Sequence, residues 1–423
     1  MVRPVVSTPV ADLRRDSMLR ARTVPVERDL DLIALAGERG FAWRSDRAEL
    51  VTTGTAARIP LGIGTGRIVQ AAAVVEAVLG AIEVEADPGG PGPVAVGALP
   101  FAPTAPGQLI VPELLLRRTP DGRLWATLVT GDGGDPDPLG ALDRFAVQPA
   151  GPAPAVTVRP VQERAWWEAA VETALGVIET GRVGKVVLAR EVLVEAAGPL
   201  RRSAVLAALA GRAAGCMLYA ADGFVGASPE LLIRREGTLA ASCPLAGTAP
   251  RGATPGEEAE RLARLDSSVK DAAEHRFVVD AVADALELVA EKVEVHPREI
   301  ITLATVAHLA TRIEAYLPEP GPSALELAGR LHPTPAVAGT PLDAALDLLA
   351  ELEPFQRGPY GGPVGWVDAA GDGEWAVALR GAELSGRTAR LLAGAGIVPG
   401  SDPASEWAET EAKLGAMLPV LGA

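Results

Sequence analysis

The chain has 423 residues and a formal net charge of −15, because 54 acidic residues outnumber 39 Lys and Arg residues. A chain of this length buries a large core without disulfides or structural metals, and its negative charge repels a phosphate backbone, which excludes general nucleic-acid binding. Residues 1–22 lack the apolar segment of a secretory signal, Cys216 and Cys243 form no CxxC motif, and the apolar run 68–82 is too short to span a bilayer, so we expect a cytoplasmic protein without membrane insertion.

The first third of the chain is rich in Ala, Val, Gly and Pro and is interrupted by turn-forming stretches. Residues 87–93 (DPGGPGP), 131–138 (GDGGDPDP) and 149–154 (PAGPAP) predict loops. Residues 62–67 (GIGTGR) precede a helical pattern and invite a phosphate-binding interpretation. They lack the third glycine of a dinucleotide fingerprint and the Lys-Ser/Thr of a P-loop, so they indicate an ordinary turn.

From residue 161 onward, apolar residues recur with helical or strand periodicity. Residues 161–181 predict a helix that ends at Gly181, and a strand-like run follows at 185–188. Later patterns predict helices at 203–211, 257–266, 269–290, 324–331, 341–352 and 403–418, and strands at 216–219, 231–235, 364–367 and 375–380. The last two strands are joined by residues 368–374 (DAAGDGE), which indicate a hairpin. Helices mixed with hairpin-joined strands favour an α+β fold over a doubly wound parallel sheet.

Four carboxylates form two i, i+3 pairs on predicted helices: Asp271 with Glu274, and Glu406 with Glu409. Such pairs are common on solvated helix faces, so neither pair alone indicates a site. The second pair follows a glycine-rich segment, 391–403, and shares its helix face with Lys413. Clustered carboxylates from two helices suit Mg²⁺, a hard cation that prefers oxygen ligands, and the sequence shows no His/Cys cluster of the kind that binds zinc.

Lys185 and Glu230 are candidates for proton transfer because apolar residues flank both. Lys185 lies in GKVVLARE, where burial would lower its pKa and suit it as a general base, although it can also extend to water from a strand edge. Glu230 lies in GASPELLIRREG, where burial would raise its pKa and suit it as an acid. These segments alone settle neither role.

The remaining candidates have an ordinary structural interpretation beside the functional one. His308 lies on an apolar stretch and is either a hydrogen-bonded core histidine or a ligand contact. Arg380 closes the strand pattern EWAVALR and can face a carboxylate or water. Thr248 lies in a tight turn where it can bind a ligand, and Gly394 and Gly396 allow backbone N–H groups close to an anion or merely form a bend.

Taken together, the ordered segments resemble the chorismate-binding enzymes: isochorismate synthases, salicylate synthases, and the large subunits of anthranilate and aminodeoxychorismate synthases. The resemblance runs from about residue 166 to 418 and includes GKVVLARE, SPELLIRREG, PLAGTAPRG, SSVKDAAEHRFVV, ATVAHLATRIEA, LHPTPAVAGTP and AGAGIVPGSDPASEWAETEAKL. It implies large, mostly antiparallel β-sheets packed together and flanked by helices. Residues 161–418 would form the catalytic region, and residues 1–160, which match weakly, the N-terminal part of the fold.

The resemblance also implies roles for the candidate residues. Glu274 and Glu409 would bind Mg²⁺, with Asp271 and Glu406 in or near its water shell. The substrate, chorismate, would be bound by Gly247, Thr248, His308, Arg380, Gly394, Gly396 and Lys413. Lys185 matches the base that activates water for attack at ring carbon C2, and Glu230 matches the acid that protonates the departing C4 hydroxyl.

Within the family, the resemblance favours an isochorismate synthase. Lys185 favours water as nucleophile, since amine-transferring members carry Gln there, and Ala246 occupies the position of the covalent lysine of aminodeoxychorismate synthases. We therefore expect no glutaminase subunit and a monomer. A salicylate synthase, which goes on to eliminate pyruvate, is the alternative, but residues 331–341 and 365–380 are more similar to isochorismate synthases. The loop 356–359 departs from the motif of the family. An inactive chorismate-binding protein is the non-enzymatic alternative, and the product can serve menaquinone or siderophore synthesis.

Overall fold

The computed structural model describes residues 18–131, 136–145 and 154–423. Its strands are β1 (Arg20–Pro25), β2 (Phe41–Arg44), β3 (Glu49–Thr53), β4 (Ala57–Leu61), β5 (Glu83–Ala86), β6 (Val94–Ala98), β7 (Gly107–Val111), β8 (Leu114–Arg118), β9 (Leu124–Thr130), β10 (Val156–Pro160), β11 (Lys185–Ala196), β12 (Met217–Ala221), β13 (Phe224–Ser228), β14 (Leu231–Glu236), β15 (Leu239–Cys243), β16 (Leu245–Pro250), β17 (Lys292–Val295), β18 (Glu299–Thr302), β19 (Val306–Ala310), β20 (Ile313–Tyr316), β21 (Gly339–Thr340), β22 (Pro363–Asp368), β23 (Gly373–Val377), β24 (Gly381–Ser385) and β25 (Thr388–Ile397). Its α-helices are α1 (Leu32–Leu35), α2 (Arg67–Gly80), α3 (Arg164–Glu179), α4 (Arg202–Ala210), α5 (Pro255–Ser267), α6 (Val269–Glu287), α7 (Ala324–Leu331), α8 (Leu342–Leu352), α9 (Pro403–Leu414) and α10 (Leu418–Leu421), and Gly140–Arg144 form a 3₁₀ helix.

The strands form three sheets, two of them large. The first has the order β10-β11-β25-β24-β13-β12-β2-β3-β8-β9-β1-β5, with β21 beside β11; the second has the order β17-β20-β15-β14-β23-β22-β6-β7-β4; the third is β16-β19-β18. Among the described residues the pairs are antiparallel except β1 with β5. Each large sheet contains strands from before and after residue 160, and the two sets meet at the pairs β2 with β12 and β6 with β22. The predicted α+β fold of large antiparallel sheets is confirmed.

The two large sheets pack face to face through aromatic and β-branched side chains. Trp43 and Tyr219 project from the first sheet towards Val96 and Trp366 of the second, and all four are buried. Burying a side chain of this kind contributes about 1.5–3 kcal/mol to stability. Helices α1, α4 and α10 cover the outer face of the first sheet, so both of its faces are buried.

Helices α6 and α9 begin where their sequences predict. Ser268 caps α6 by accepting a hydrogen bond from the Asp271 N–H at 3.1 Å, and Asp402 caps α9 by accepting one from the Ser405 N–H at 2.8 Å, with Pro403 at the first helical position. These caps place both carboxylate pairs in the first two turns of their helices. The end of the second helix differs from the prediction, because α9 stops at Leu414 and residues 418–421 form a separate turn of helix.

Other predicted elements agree with the structure apart from their lengths. The strand predicted at 185–188 continues to Ala196, because its later residues pair with β25 on one side and with β10 on the other. Residues 62–67 form a turn before α2, in which Gly64 and Gly66 have positive φ, as expected for an ordinary turn. The predicted loop at 87–93 lacks regular structure, whereas 132–135 and 149–153 lie outside the described residues. Over the part of the chain that the structure describes, no helix has the length and apolarity needed to cross a bilayer.

Candidate active site

A pocket lies where the first large sheet meets the three-stranded sheet, between α6 and α9. Strands β11 and β25 form its base, with Val187 opposite Gly396 and Ala189 opposite Gly394. The predicted site residues that line it are Glu230, Gly247, Thr248, Glu274, His308, Arg380, Gly394, Gly396, Glu409 and Lys413. The structure thus brings together residues from seven separate segments of the chain. Lys185 contacts the pocket through Glu274, whereas Asp271 and Glu406 lie outside its lining.

Lys185 is fully buried at the start of β11. Its Nζ forms an ion pair with Glu274 Oε1 at 2.9 Å and contacts no other acceptor among the described residues. The alternative of a lysine that extends to water is therefore wrong. An ammonium group has three N–H donors, so a single partner leaves donors free, and a bound molecule that accepts hydrogen bonds from them would lower the cost of burying the group.

Gly396 allows this ion pair to lie directly against β25. A Cβ atom at Gly396 would come within 2.1 Å of Glu274 Oε1 and 3.1 Å of Lys185 Cε, so any larger residue would displace both groups. The carbonyl of Gly394 accepts a hydrogen bond from Lys413 Nζ at 2.9 Å, and the same Nζ lies 2.6 Å from Glu409 Oε1. The two glycines therefore bring the strand backbone into contact with both charge pairs.

Glu230 lies between β13 and β14 and is 3% exposed. Burial raises the pKa of its carboxyl group to about 7, against an opposing effect of the Lys185 ammonium and of the Leu245 backbone N–H. The main chain around it is fixed, because its N–H donates to Ser228 Oγ at 3.2 Å and its carbonyl accepts from the Val377 N–H at 3.1 Å. A carboxyl group that is half protonated near pH 7 can donate a proton to a leaving group.

The two carboxylate pairs share one electrostatic environment. Burial raises the pKa of Asp271, and the charges of Glu274 and Glu409 raise it further; burial likewise raises the pKa of Glu406, with Glu409 adding to it. Burial alone would raise the pKa of Glu274, but the Lys185 ammonium outweighs it, and the pKa lies below its usual value. This concentration of mutually repelling oxygen ligands fits a hard divalent cation.

The outer carboxylates have partners that separate them from the pocket. Glu406 accepts a hydrogen bond from Lys270 Nζ at 2.7 Å. Asp271 packs against Gly247, whose added Cβ atom would meet the Asp271 Cβ at 3.0 Å. Glu274 and Glu409 therefore face the pocket directly, and Asp271 and Glu406 stand behind them.

His308 links the turn at Gly247 to Arg380. Arg380 Nη2 lies 3.2 Å from His308 Nε2, and because a guanidinium can only donate, Nε2 must be the acceptor. The imidazole hydrogen is then on Nδ1, which donates to the carbonyl of Gly247 at 3.1 Å and lies 3.2 Å from Thr248 Oγ1. Burial lowers the pKa of His308 well below its usual value, so the ring is neutral. Gly247, at φ 70°, forms the irregularity in β16 that turns its carbonyl towards the ring.

Arg380 differs from its sequence prediction. It does not close a strand, because β23 ends at Val377 and Arg380 follows with φ 49°, a left-handed conformation that is rare for residues other than glycine. This conformation is not visible in a pattern of alternating apolar residues. Its carbonyl accepts a hydrogen bond from the Ala227 N–H at 3.1 Å, which fixes the bend next to the pocket.

Sequence reasoning missed Tyr360, whose ring is 6% exposed and which lines the pocket beside Gly394. It directly follows the variable loop 356–359, where glycines and prolines give no periodicity to interpret, and an aromatic residue within GPYGG is the only signal. Arg357 in the same loop is buried and donates to the carbonyls of Val337 and Val187 at 2.7 and 2.6 Å. The loop is thereby held against β11.

A different group of potential metal ligands lies away from the pocket, on β17 and β20. Within the described residues, one group of three such side chains lies close together: Glu294, His296 and Glu314. Glu314 already pairs with His296 at 3.1 Å and with Arg312, so its charge is compensated at the surface. The cluster shares no residue with the predicted site.

Comparison with known proteins agrees with this geometry. A family model described as chorismate binding enzyme matches residues 30–422. The isochorismate synthase DhbC of Bacillus subtilis (strain 168) is 39% identical over 342 residues, which cover 78% of this chain and 81% of the relative. The isochorismate synthase EntC of Escherichia coli (strain K12) is 38% identical over 338 residues, with the same coverage of 78% and 81%.

The similarity extends to solved structures. The structure of MenF, the menaquinone-specific isochorismate synthase from Escherichia coli, superposes with a TM-score of 0.79 at 27% identity and covers 95% of this chain and 94% of that chain. The family model alone spans most of the chain, and the identity to the B. subtilis relative is 39%. The protein therefore belongs to the family of chorismate-binding enzymes.

Proposed function

We propose that the protein is an isochorismate synthase, which converts chorismate to isochorismate with the help of Mg²⁺. The observation that carries the proposal is that a buried Lys185, whose Nζ has a single carboxylate partner, lies beside the same pocket as a Glu230 carboxyl group whose pKa is raised to about 7. The reaction needs a base for water, a role for the neutral amine of Lys185, and an acid for the departing hydroxyl, a role for the protonated carboxyl group of Glu230. The relatives named isochorismate synthases support the same activity.

In this reaction water adds at ring carbon C2 and the C4 hydroxyl leaves. Lys185, in its neutral form, accepts a proton from the attacking water while the new C2–O bond forms. Glu230 donates its proton to the C4 oxygen, the C4–O bond breaks, both ring double bonds shift by one position and a second water departs, so atoms and charge balance. Both groups are buried beside the same pocket, which limits competing proton exchange with bulk water.

The cationic side chains of the pocket suit the two carboxylates of chorismate. Arg380 has no carboxylate partner within ion-pair distance among the described residues, so its charge is available for the substrate. Lys413 is held between Glu409 and the carbonyl of Gly394 and can reorient between them. We assign these two residues to the substrate's carboxylates, because buried cations require anionic partners.

Glu274 and Glu409 are the residues that would hold Mg²⁺, with Asp271 and Glu406 behind them. When bound, Mg²⁺ would supply positive charge next to the ring carboxylate of the substrate. The volume left free between the pocket side chains is about 50 Å³. Ligand pockets are typically larger than about 300 Å³, so the Lys185–Glu274 and Lys413–Glu409 pairs must separate when substrate and metal enter.

A water-using reaction requires no ammonia source, so we propose that the enzyme works without a glutaminase subunit and as a monomer. We also place it in the cytoplasm. Burial raises the pKa of both thiols, Cys216 and Cys243, to about 11, so both stay protonated and unreactive. They are free in the structure, which is compatible with a reducing compartment.

Incubating the purified protein with chorismate and Mg²⁺, and separating the products by chromatography, tests the proposal. We expect isochorismate to accumulate to an equilibrium mixture with chorismate, and turnover to stop on addition of a chelator and return with excess Mg²⁺. Salicylate and pyruvate as the main products would show a salicylate synthase instead. Binding of chorismate without any conversion would show an inactive chorismate-binding protein. Either result would overturn the assignment.

A further inference from the structure

A second cavity lies directly behind the active site. It has a volume of about 300 Å³ and is enclosed by the end of α4, the loop at 303–306 and the segment that follows α9. Arg380 and Pro229 line both cavities, so the two residues form a shared wall with the active site on one side and this cavity on the other. Its volume is at the lower end of the range for small-molecule sites, and fits a ligand with a single ring.

The lining of the cavity is mostly apolar, and its charged groups are both cationic: Arg212 and Arg380. Leu209, Ala213 and Ala227 contribute apolar walls, and Arg212 lies at the rim, immediately after α4. Among the described residues, Arg212 forms no ion pair or side-chain hydrogen bond, and its side chain is exposed. The neutral Cys216 thiol adds no negative charge to the wall, since burial raises its pKa to about 11.

An unpaired guanidinium at the rim of an apolar cavity is complementary to a molecule with one carboxylate on an apolar body. The guanidinium group pairs with carboxylates in a planar, two-hydrogen-bond geometry and stacks on aromatic rings. We infer that this second cavity binds a single-ring aromatic carboxylate, with its carboxylate on Arg212 and its ring against the shared wall, and that its occupation weakens binding of the substrate.

The shared wall provides the link between the two sites. Arg380 has a left-handed backbone conformation, and its guanidinium is held by His308 alone among the described side chains. The Cys216 thiol lies close enough to this guanidinium for the two to interact electrostatically, so the charge of Arg380 reaches the second cavity. A ring that stacks on the guanidinium from that side therefore holds it away from the substrate's carboxylate. The coupling acts on substrate affinity because the base and the acid do not line the second cavity.

Calorimetric titration of benzoate into the protein, without chorismate, tests binding independently of any enzymatic activity. We expect saturable binding that is at least tenfold weaker for benzyl alcohol, which has the same ring and no charge, and at least tenfold weaker in the variants Arg212→Gln and Ala213→Leu. Arg159→Gln is the matched control, because Arg159 is also exposed and has no ion pair in the described part of the chain, but lies on the edge strand β10. Equal binding in all variants would place benzoate elsewhere and overturn the proposal.

Steady-state kinetics then test the coupling. With chorismate as substrate, benzoate should raise KM several-fold and leave kcat unchanged, and this effect should disappear in Arg212→Gln, which keeps the basal activity of the wild type. If Ala213→Leu lowers kcat/KM for chorismate in the absence of benzoate, the cavity is the substrate's entry route, and the proposal is overturned. Failure of the proposed reaction would leave the calorimetric result intact, so the two hypotheses fail separately.

Discussion

Two groups of charged side chains in this protein differ in how completely their charges and hydrogen bonds are paired. The first, the inter-sheet cluster of Trp43, Ser45, Asp46, Arg234 and Glu374, connects the two large sheets. The Glu374 side chain is 2% exposed, and both of its oxygens are used: Oε1 accepts from Arg234 Nε at 2.6 Å, and Oε2 accepts from Trp43 Nε1 at 3.0 Å and from Ser45 Oγ at 2.7 Å. Arg234 also pairs with Asp46.

The second group is the active-site pocket, where the charges are incompletely paired. Lys185 Nζ has the Glu274 carboxylate as its single partner among the described residues, and Arg380 has a neutral histidine as its partner instead of a carboxylate. Burying charges is costly in both places, and the inter-sheet cluster offsets that cost with its own hydrogen bonds. The pocket leaves donors available to a substrate. In these two groups, complete pairing accompanies the contact between the sheets and incomplete pairing accompanies the pocket.

Among substitutions in the two groups, Lys185→Ala should have the largest effect on activity. A general base contributes about 10²–10⁴-fold to rate, so we expect kcat to fall about 10³-fold while chorismate still binds. Product formation followed by chromatography, with chorismate binding followed by calorimetry, measures both quantities. Lys292→Ala is the control, since Lys292 forms a surface pair with Glu294, and should retain full activity. Retained turnover in Lys185→Ala would show that another group activates water.

Glu374→Gln should have the opposite effect, a loss of stability without a loss of activity. Removing one charge from a buried, fully bonded ion pair costs about 3 kcal/mol or more in the free energy of unfolding, and kcat of the folded enzyme should be unchanged. Urea denaturation at equilibrium measures the loss. Glu409→Gln is the matched substitution in the pocket: it removes a charge that repels Asp271 and Glu406, and it leaves Lys413 its hydrogen bond to Gly394, so we expect a loss of activity with a smaller loss of stability than in Glu374→Gln. Equal effects of the two substitutions on stability would contradict the distinction.

The pH dependence of kcat/KM should reveal the buried acid of the pocket. Because burial raises the pKa of Glu230 from 4.5 to about 7, the carboxyl group is protonated below pH 7 and loses its proton above it. An acid must carry its proton to act, so kcat/KM should fall about tenfold per pH unit above pH 7. A profile from pH 5 to 9 with saturating Mg²⁺ measures this fall. A decline that begins near pH 4.5 instead would mean that the carboxyl group is not the acid.

The sequence predicts local features of this molecule better than long-range ones. Helix α7 has the predicted bounds, and the caps of α6 and α9 follow from short-range signals. The resemblance to chorismate-binding enzymes identified residues that the structure gathers in one pocket, and their individual roles stay predictions. In contrast, the bond between Trp43 and Glu374 joins residues 331 positions apart, and no periodicity encodes such a pairing. The conformation of Arg380 and the position of Tyr360 were missed for the same reason, since both depend on tertiary contacts.

The smallest predicted effect concerns His308, which lines the pocket but has a partner for each of its ring nitrogens. Its Nε2 already accepts from Arg380 and its Nδ1 donates to Gly247, so it should position Arg380 without acting on the reacting atoms. His308→Leu leaves the guanidinium without that acceptor, and we expect KM for chorismate to rise about tenfold, since a lost hydrogen bond to a charged group is worth about 1.5 kcal/mol, with kcat nearly unchanged.

His308→Gln provides the matched comparison, because its amide oxygen can accept from Arg380 and should limit the rise in KM to about threefold, roughly half of that hydrogen-bond energy. Since burial keeps the His308 ring neutral, the ratio of the KM values of wild type and His308→Leu should be the same at pH 6 and pH 8. A fall in kcat at unchanged KM would show instead that the ring acts on the reaction itself, as proposed for Lys185 and Glu230.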